Sequence, residues 1–107
     1  MRVARIGAAP KGLFAAGRLL AHLGDRPAQV TMLDPQQPGT GAAYQPEQPA
    51  WLRLNVASSL VDAGWHSGPR PSSGWLTTFD QWRQDSGEAQ PLDPFPARGR
   101  VGAYLAW

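Results

Sequence analysis

The chain has 107 residues, of which 42% are hydrophobic and 17% charged, so it fits one domain and is not disordered along its whole length. Its net charge is +2, but the ten Lys and Arg residues are spread singly, which argues against a nucleic-acid-binding face. The absence of cysteine excludes a disulfide framework, a thiol nucleophile and a zinc–thiolate site.

The first third of the sequence predicts a strand, a helix and a second strand. Residues 2–7 suit a strand that is apolar on both faces except at Arg5, and residues 10–23 suit a helix opened by Pro10. Gly24 is placed to end this helix, and residues 29–33 suit the second strand. A βαβ unit with parallel strands is therefore predicted over residues 2–34. The apolar face predicted for the helix consists of Leu13, Ala16, Leu20 and Leu23.

Residues 35–107 predict a half that is rich in loops. Glycine and proline are frequent in residues 35–50 and 63–74, residues 51–56 suit a short extended piece, and residues 75–83 show weak helical spacing. Residues 101–107 look like the start of a helix. The whole pattern predicts an α/β fold with a Rossmann-type βαβ start and an incomplete parallel sheet.

The turn between the first strand and the helix matches the dinucleotide fingerprint G-x-G-x-x-G with one departure. Gly7 and Gly12 stand at the first and third glycine positions, and Ala9 stands at the second, where a bare backbone approaches the phosphates. Backbone N–H groups here are expected to meet a diphosphate at the positive end of the helix dipole. The alternative is a turn that uses small residues for packing alone. The candidate contact residues are Gly7, Ala8, Ala9, Pro10, Lys11 and Gly12.

Three further sites follow the turn along the chain. Asp34 ends the second strand, about 20 residues beyond the turn, where a carboxylate that accepts ribose hydroxyls is expected; the alternative is an Asp-Pro turn. Gly39 and Gly41 belong to a second glycine cluster, which predicts either a cofactor groove on which Tyr44 stacks or a flexible loop. Asn55 is suited equally to bonding a ring edge and to capping a turn.

No arrangement of side chains predicts a catalytic acid, base, nucleophile or metal site. His22 and His66 are isolated, and the five tryptophans are expected to pack in the core or at an interface rather than on bases. No secretory signal or apolar run of membrane-spanning length occurs, which predicts a cytoplasmic protein without a membrane partner.

The order of these motifs resembles the N-terminal FAD/NAD(P)-binding domain of a bacterial flavoprotein family that includes FAD-dependent hydroxylases and oxidoreductases. The opening I-G-A-G-P-x-G-L pattern is matched by residues 6–13, with Ala9 in place of a glycine. Patterns P-G-x-G-x-x-Y and L-x-L/M-N-V/I-A are matched by residues 38–44 and 52–57. Phe79 and Trp82 match F-x-x-W, and residues 97–105 match P-R-x-x-x-G-x-Y-L, with Ala97 in place of proline.

This resemblance implies FAD bound by Gly7, Gly12 and Asp34, with Gly39, Gly41 and Asn55 near the cofactor. It also implies NAD(P)H as the co-substrate of a complete enzyme, an oxidoreductase or monooxygenase. Because such proteins are several times longer, the resemblance implies that residues 1–107 are the N-terminal part of the domain and do not complete the reaction alone. The alternatives are a non-catalytic or vestigial nucleotide-binding module and a subunit whose sheet is completed by a partner chain.

Overall fold

The computed structural model describes residues 1–61 and 77–107, and the predicted βαβ unit is confirmed in it. Pro10 begins α1 and Gly24 caps it, with φ +55° and an N–H group that donates to the carbonyl oxygen of Leu20 at 3.2 Å. The first strand ends at Ile6, one residue before the predicted end, and Gly7 lies in the turn, as the fingerprint predicts. The elements of this unit are β1 (Arg2–Ile6), α1 (Pro10–Leu23) and β2 (Gln29–Leu33).

The two strands pair in parallel, in a register that places Arg2 beside Gln29 and Ile6 beside Leu33. The alternate residues Val3, Arg5 and Val30 are half-buried, and they line an open groove of about 410 Å³ with Ala15, Ala16 and Leu19 of α1. The other face of the sheet is exposed at Ala4, Ile6, Thr31 and Leu33. β1 is therefore apolar on both faces except at Arg5, as predicted, but in the described residues α1 lies against only one of them.

The predicted apolar face of α1 is also partly wrong. The buried residues of this helix are the small ones, Gly12, Ala16, Gly17 and Ala21. Leu20 is exposed, whereas Leu13 and Leu23 are half-buried. Gly12 has to be small because the first turn of α1 passes close to the Gly7 carbonyl oxygen, and Ala16 is the one predicted position that is buried.

The main hydrophobic core lies in the second half of the chain, between α2 (Phe79–Asp85) and α3 (Arg98–Ala106). Thr78 caps α2 by accepting the N–H group of Gln81 at 3.2 Å. The helix predicted over residues 75–83 thus starts at Phe79 in the described residues, and residues 75 and 76 lie outside them. The core residues are Leu54, Phe79, Trp82, Val101 and Tyr104, which are 9% exposed or less.

The last helix begins at Arg98, three residues before the predicted start. Gly99 and Gly102 bring α3 against the chain at residues 44–46, since an added Cβ at Gly99 would lie 2.8 Å from the carbonyl oxygen of Pro46. The predicted extended piece at residues 51–56 is reduced to an isolated antiparallel bridge between Arg53 and Ala97. A 3₁₀ turn follows at Ser58–Leu60.

The tryptophans divide between core and surface. Trp82 stacks on Phe79 with ring centroids 6.1 Å apart, whereas Trp51 and Trp107 are 76% and 70% exposed. Trp65 and Trp75, like His66 and the loop predicted over residues 63–74, lie outside the described residues. In the described part of the chain, no helix has the length and apolar character needed to cross a membrane.

Candidate functional site: the glycine turn

The turn between β1 and α1 is held by its own backbone. Gly7 adopts φ +90°, a conformation open to glycine, and its N–H group donates to the carbonyl oxygen of Leu33 at 2.9 Å. The carbonyl oxygen of Ala9 accepts the N–H groups of Gly12 at 2.7 Å and Leu13 at 3.0 Å, which starts the helix. An added Cβ at Gly12 would overlap the carbonyl oxygen of Gly7. The two fingerprint glycines are therefore required by the shape of the turn.

Asp34 lies beside this turn, as the sequence spacing predicts. Its Oδ2 accepts the N–H group of Ala8 at 2.7 Å, and its Oδ1 accepts the N–H group of Gln36 at 2.9 Å. These hydrogen bonds, first that from Ala8 and then that from Gln36, hold the pKa of Asp34 below its ordinary value of 3.8. Each carboxylate oxygen has a second lone pair, so the group can still accept a hydrogen bond from a hydroxyl group.

Two backbone N–H groups of the turn do not donate to any acceptor in the described residues. Gly7, Ala8, Gly12 and Leu13 all donate within the protein, and Pro10 has no N–H group. Within residues 1–61 and 77–107, the N–H groups of Ala9 and Lys11 have no protein acceptor. Both stand at the N-terminus of the 14-residue α1, and the Lys11 side chain is exposed. The N–H groups available to a ligand are thus fewer than the predicted contact residues 7–12.

The second glycine cluster packs directly on the first. The N–H group of Gly39 donates to the carbonyl oxygen of Ala8 at 2.6 Å, with Gly39 at φ +90°. Gly41 has φ +52°, and an added Cβ there would lie 2.9 Å from the Cβ of Ala9. The methyl group of Ala9 therefore contacts the second cluster. An added Cβ at Gly39 would overlap the carbonyl oxygen of Leu105, so this cluster lies between the turn and the end of α3.

The remaining predicted residues lie elsewhere. Tyr44 is half-buried and packs against the core of α2 and α3, rather than in the turn. Asn55 is exposed, and its side chain has no hydrogen-bonding partner in the part of the chain that the structure describes. That part also contains no group of three or more His, Cys, Asp or Glu residues able to hold a metal ion.

Sequence reasoning missed one residue that shapes the site, Gln36, and it missed the structural role of Ala8, which it had placed among the candidate contacts. Gln36 donates to Asp34, and Ala8 is fully buried between Asp34 and Gly39. The Asp-Pro-Gln order was a usable signal for the first contact, because an Asp side chain commonly accepts the N–H group two residues on. Ala8 carried no such signal, since its role depends on its backbone.

These features together define a Rossmann-type nucleotide-binding module. The chain has a parallel βαβ unit with a glycine turn, two N–H groups of that turn without an acceptor in the described residues, and a carboxylate after the second strand. A sequence model of a family described as FAD-NAD(P)-binding matches residues 4–107, and the chain belongs to this family. The comparison with curated proteins finds no significant match. The family assignment supports the dinucleotide-binding part of the resemblance, and it carries nothing specific to hydroxylases.

Proposed function

We propose that this chain binds the adenosine and diphosphate part of FAD, as the FAD-binding portion of a flavin-dependent NAD(P)H oxidoreductase or monooxygenase. One observation carries the proposal: two N–H groups at a helix N-terminus, without an acceptor in the described residues, lie next to a carboxylate that follows the second strand. The N–H groups of Ala9 and Lys11 would hold a phosphate, with the Lys11 ammonium adding charge. Asp34 would accept the ribose hydroxyls.

The rest of the predicted site has a supporting role in this proposal. Gly7 and Gly12 shape the turn, and Gly39 and Gly41 pack against it at Ala8 and Ala9. Asn55 contributes only if the isoalloxazine part of the cofactor extends to the loop at residues 51–56. When bound, FAD supplies the redox chemistry. The groups that the chain presents are suited to holding one end of the cofactor.

We propose further that residues 1–107 are the N-terminal part of an FAD/NAD(P)-binding domain in a cytoplasmic protein. Binding without turnover is then the expected behaviour of the isolated chain. Oxidation of NADPH by the purified chain with added FAD would contradict this expectation. A non-catalytic module would also bind FAD without turnover. Binding of FAD is therefore the measurement that tests the cofactor assignment, which both interpretations share.

The test is a visible spectrum of the purified chain, followed by titration of FAD with its fluorescence quenching as the readout. We expect bound flavin or saturable quenching, and a colourless preparation that fails to quench FAD would overturn the proposal. Lys11→Gln should weaken binding about fivefold, because an exposed charge contact contributes about 1 kcal/mol. Arg26→Gln is the matched control, since it removes the same charge about 20 Å away along α1 and should leave binding unchanged.

A second candidate function is supported by the exposed face of the sheet. Ile6 is 86% exposed and Leu33 is 53% exposed, and the two are neighbours in the strand register. We propose that a partner chain covers this face, which large exposed apolar groups commonly indicate. Measurement of molecular size at several protein concentrations tests this candidate, and a strict monomer would contradict self-association.

A further inference from the structure

Ala8 is fixed at both its N–H group and its carbonyl group. Its N–H donates to Asp34 Oδ2 at 2.7 Å, and its carbonyl oxygen accepts the N–H group of Gly39 at 2.6 Å. The residue is fully buried. Two strong hydrogen bonds on opposite ends of one residue leave its backbone little freedom to rotate.

The orientation of Ala8 determines that of the adjacent N–H group. The carbonyl of Ala8 and the N–H of Ala9 belong to one planar trans peptide, so they point in opposite directions. Because the carbonyl is directed at the N–H group of Gly39, the N–H of Ala9 is directed away from Gly39. Ala9 is one of the two residues in the turn whose N–H group has no acceptor among the described residues.

We infer that Asp34 is a positioning residue for diphosphate binding: through Ala8 it holds the peptide that aims the Ala9 N–H group at a phosphate. This role rests on the proposed function and adds to the ribose contact assigned there. With this role, Asp34 strengthens the binding even of phosphate ligands that contain no ribose. A carboxylate that contacted only the sugar would have no such favourable effect, and its charge would repel a phosphate.

Two substitutions with the same charge separate these roles. Asp34→Asn removes the charge but keeps a side-chain oxygen that accepts the Ala8 N–H group, whereas Asp34→Ala removes both. Inorganic pyrophosphate is the probe, and the amide shifts of Ala9 and Lys11 in ¹⁵N-labelled protein report its binding. We expect pyrophosphate to bind Asp34→Ala at least about fivefold more weakly than Asp34→Asn. Asp25→Asn, in the exposed turn after α1, is the control for charge alone.

Equal pyrophosphate affinity in the two Asp34 variants, with ADP binding weakened in both, would overturn the inference and leave the proposed function standing. Failure of the unsubstituted chain to bind pyrophosphate, ADP or FAD would overturn both. If Asp34→Ala does not fold, the ligand-free protein provides the test. The Ala8 amide proton of the unsubstituted chain should then move with pH as Asp34 titrates, and a signal that does not move would show that the contact is absent.

Discussion

At Gly12 the first turn of α1 passes so close to Gly7 that an added Cβ would overlap the Gly7 carbonyl oxygen and lie 3.1 Å from Arg5 Nε. Gly12→Ala should therefore destabilise the fold by about 1–3 kcal/mol, the usual cost of overpacking, and should weaken FAD binding by displacing the turn. Gly24→Ala is the control, because Gly24 has φ +55° with open space around it and lies at the far end of α1. It should lower stability through backbone strain while FAD affinity stays unchanged. Urea unfolding and quenching titrations measure both, and normal FAD binding by Gly12→Ala would contradict the prediction.

Asp34 makes stability depend on pH in a definite direction. Because its folded pKa lies below the ordinary 3.8, the unfolded chain takes up the proton first as pH falls. The contribution of Asp34 to stability is therefore fully present above the ordinary pKa and is lost as pH falls through the folded pKa. The difference in unfolding free energy between the unsubstituted chain and Asp34→Asn should shrink below about pH 4. Urea unfolding at pH 6, 4 and 3 measures it, and a difference that grows toward acid would show that the sign is wrong.

Among the elements, α2 is held by a buried arginine. Arg83 is 1% exposed, and its Nε donates to Glu88 at 2.7 Å while its Nη1 donates to the carbonyl oxygen of Asp93 at 2.9 Å. Asp80, one turn earlier, accepts a third hydrogen bond at 3.2 Å. The Arg83 guanidinium also lies 5.4 Å from the centre of the Phe79 ring. This set of contacts joins α2 to the segment that leads into α3.

Arg83→Ala should lower the free energy of unfolding by about 3 kcal/mol. It leaves the partly buried carboxylate of Asp80 without a cation and removes one of the two arginines, Arg83 and Arg100, that pair with Glu88. Arg53→Ala is a matched control. Arg53 pairs with the Asp93 side chain, but both side chains are about half exposed, so its loss should cost less than about 1 kcal/mol. Urea unfolding of both variants gives the comparison. Equal effects would mean that burial of Arg83 does not strengthen its contacts.

The elements of the βαβ unit were predictable because their signals are local. Pro10 and Gly24 mark the ends of α1, and the bounds of that helix and of β2 are those predicted. The buried face of α1 was only partly predictable from the apolar spacing. Ala16 is buried as predicted, but Gly12, Gly17 and Ala21 are buried in place of the leucines; at Gly12 the cause is the close approach of the turn. The start of α3 was missed because Gly99 is a poor helix former, and its contact with residues 45 and 46 overrides that preference.

In the candidate site, too, the local features were predictable from the sequence and the non-local ones were not. The closeness of Asp34 to the turn followed from the spacing of residues 2–34, because parallel strands bring their carboxyl ends to one edge. Which N–H group the carboxylate binds was not predictable, since this depends on backbone orientation at Ala8. The contact between the two glycine clusters is also non-local, and only the positive φ of Gly39 and Gly41 had a sequence signal.

On the scale of the whole molecule, the apolar side chains of the two halves of the chain are buried to different degrees in the described residues. The described residues place an aromatic core between α2 and α3, whereas the sheet of the βαβ unit has α1 against one face and leaves the other exposed. The glycine turn between β1 and α1 is located where these two regions meet, through the contacts of Gly39 with Ala8 and of Gly39 with α3. Displacement of α3 should therefore be transmitted to the turn through one glycine.

The exposed face predicts association that depends on protein concentration. Burying a side chain such as that of Ile6 contributes about 1.5–3 kcal/mol, so the pair with Leu33 would favour contact with a second apolar surface. The sedimentation coefficient should rise with concentration, and Ile6→Lys should abolish the rise because a charge on this face opposes burial. Leu60→Lys is the control, since Leu60 is 74% exposed but lies outside the sheet. A coefficient that stays constant for the unsubstituted chain would contradict association through this face, and an equal effect of Leu60→Lys would show that net charge, rather than the sheet face, controls it.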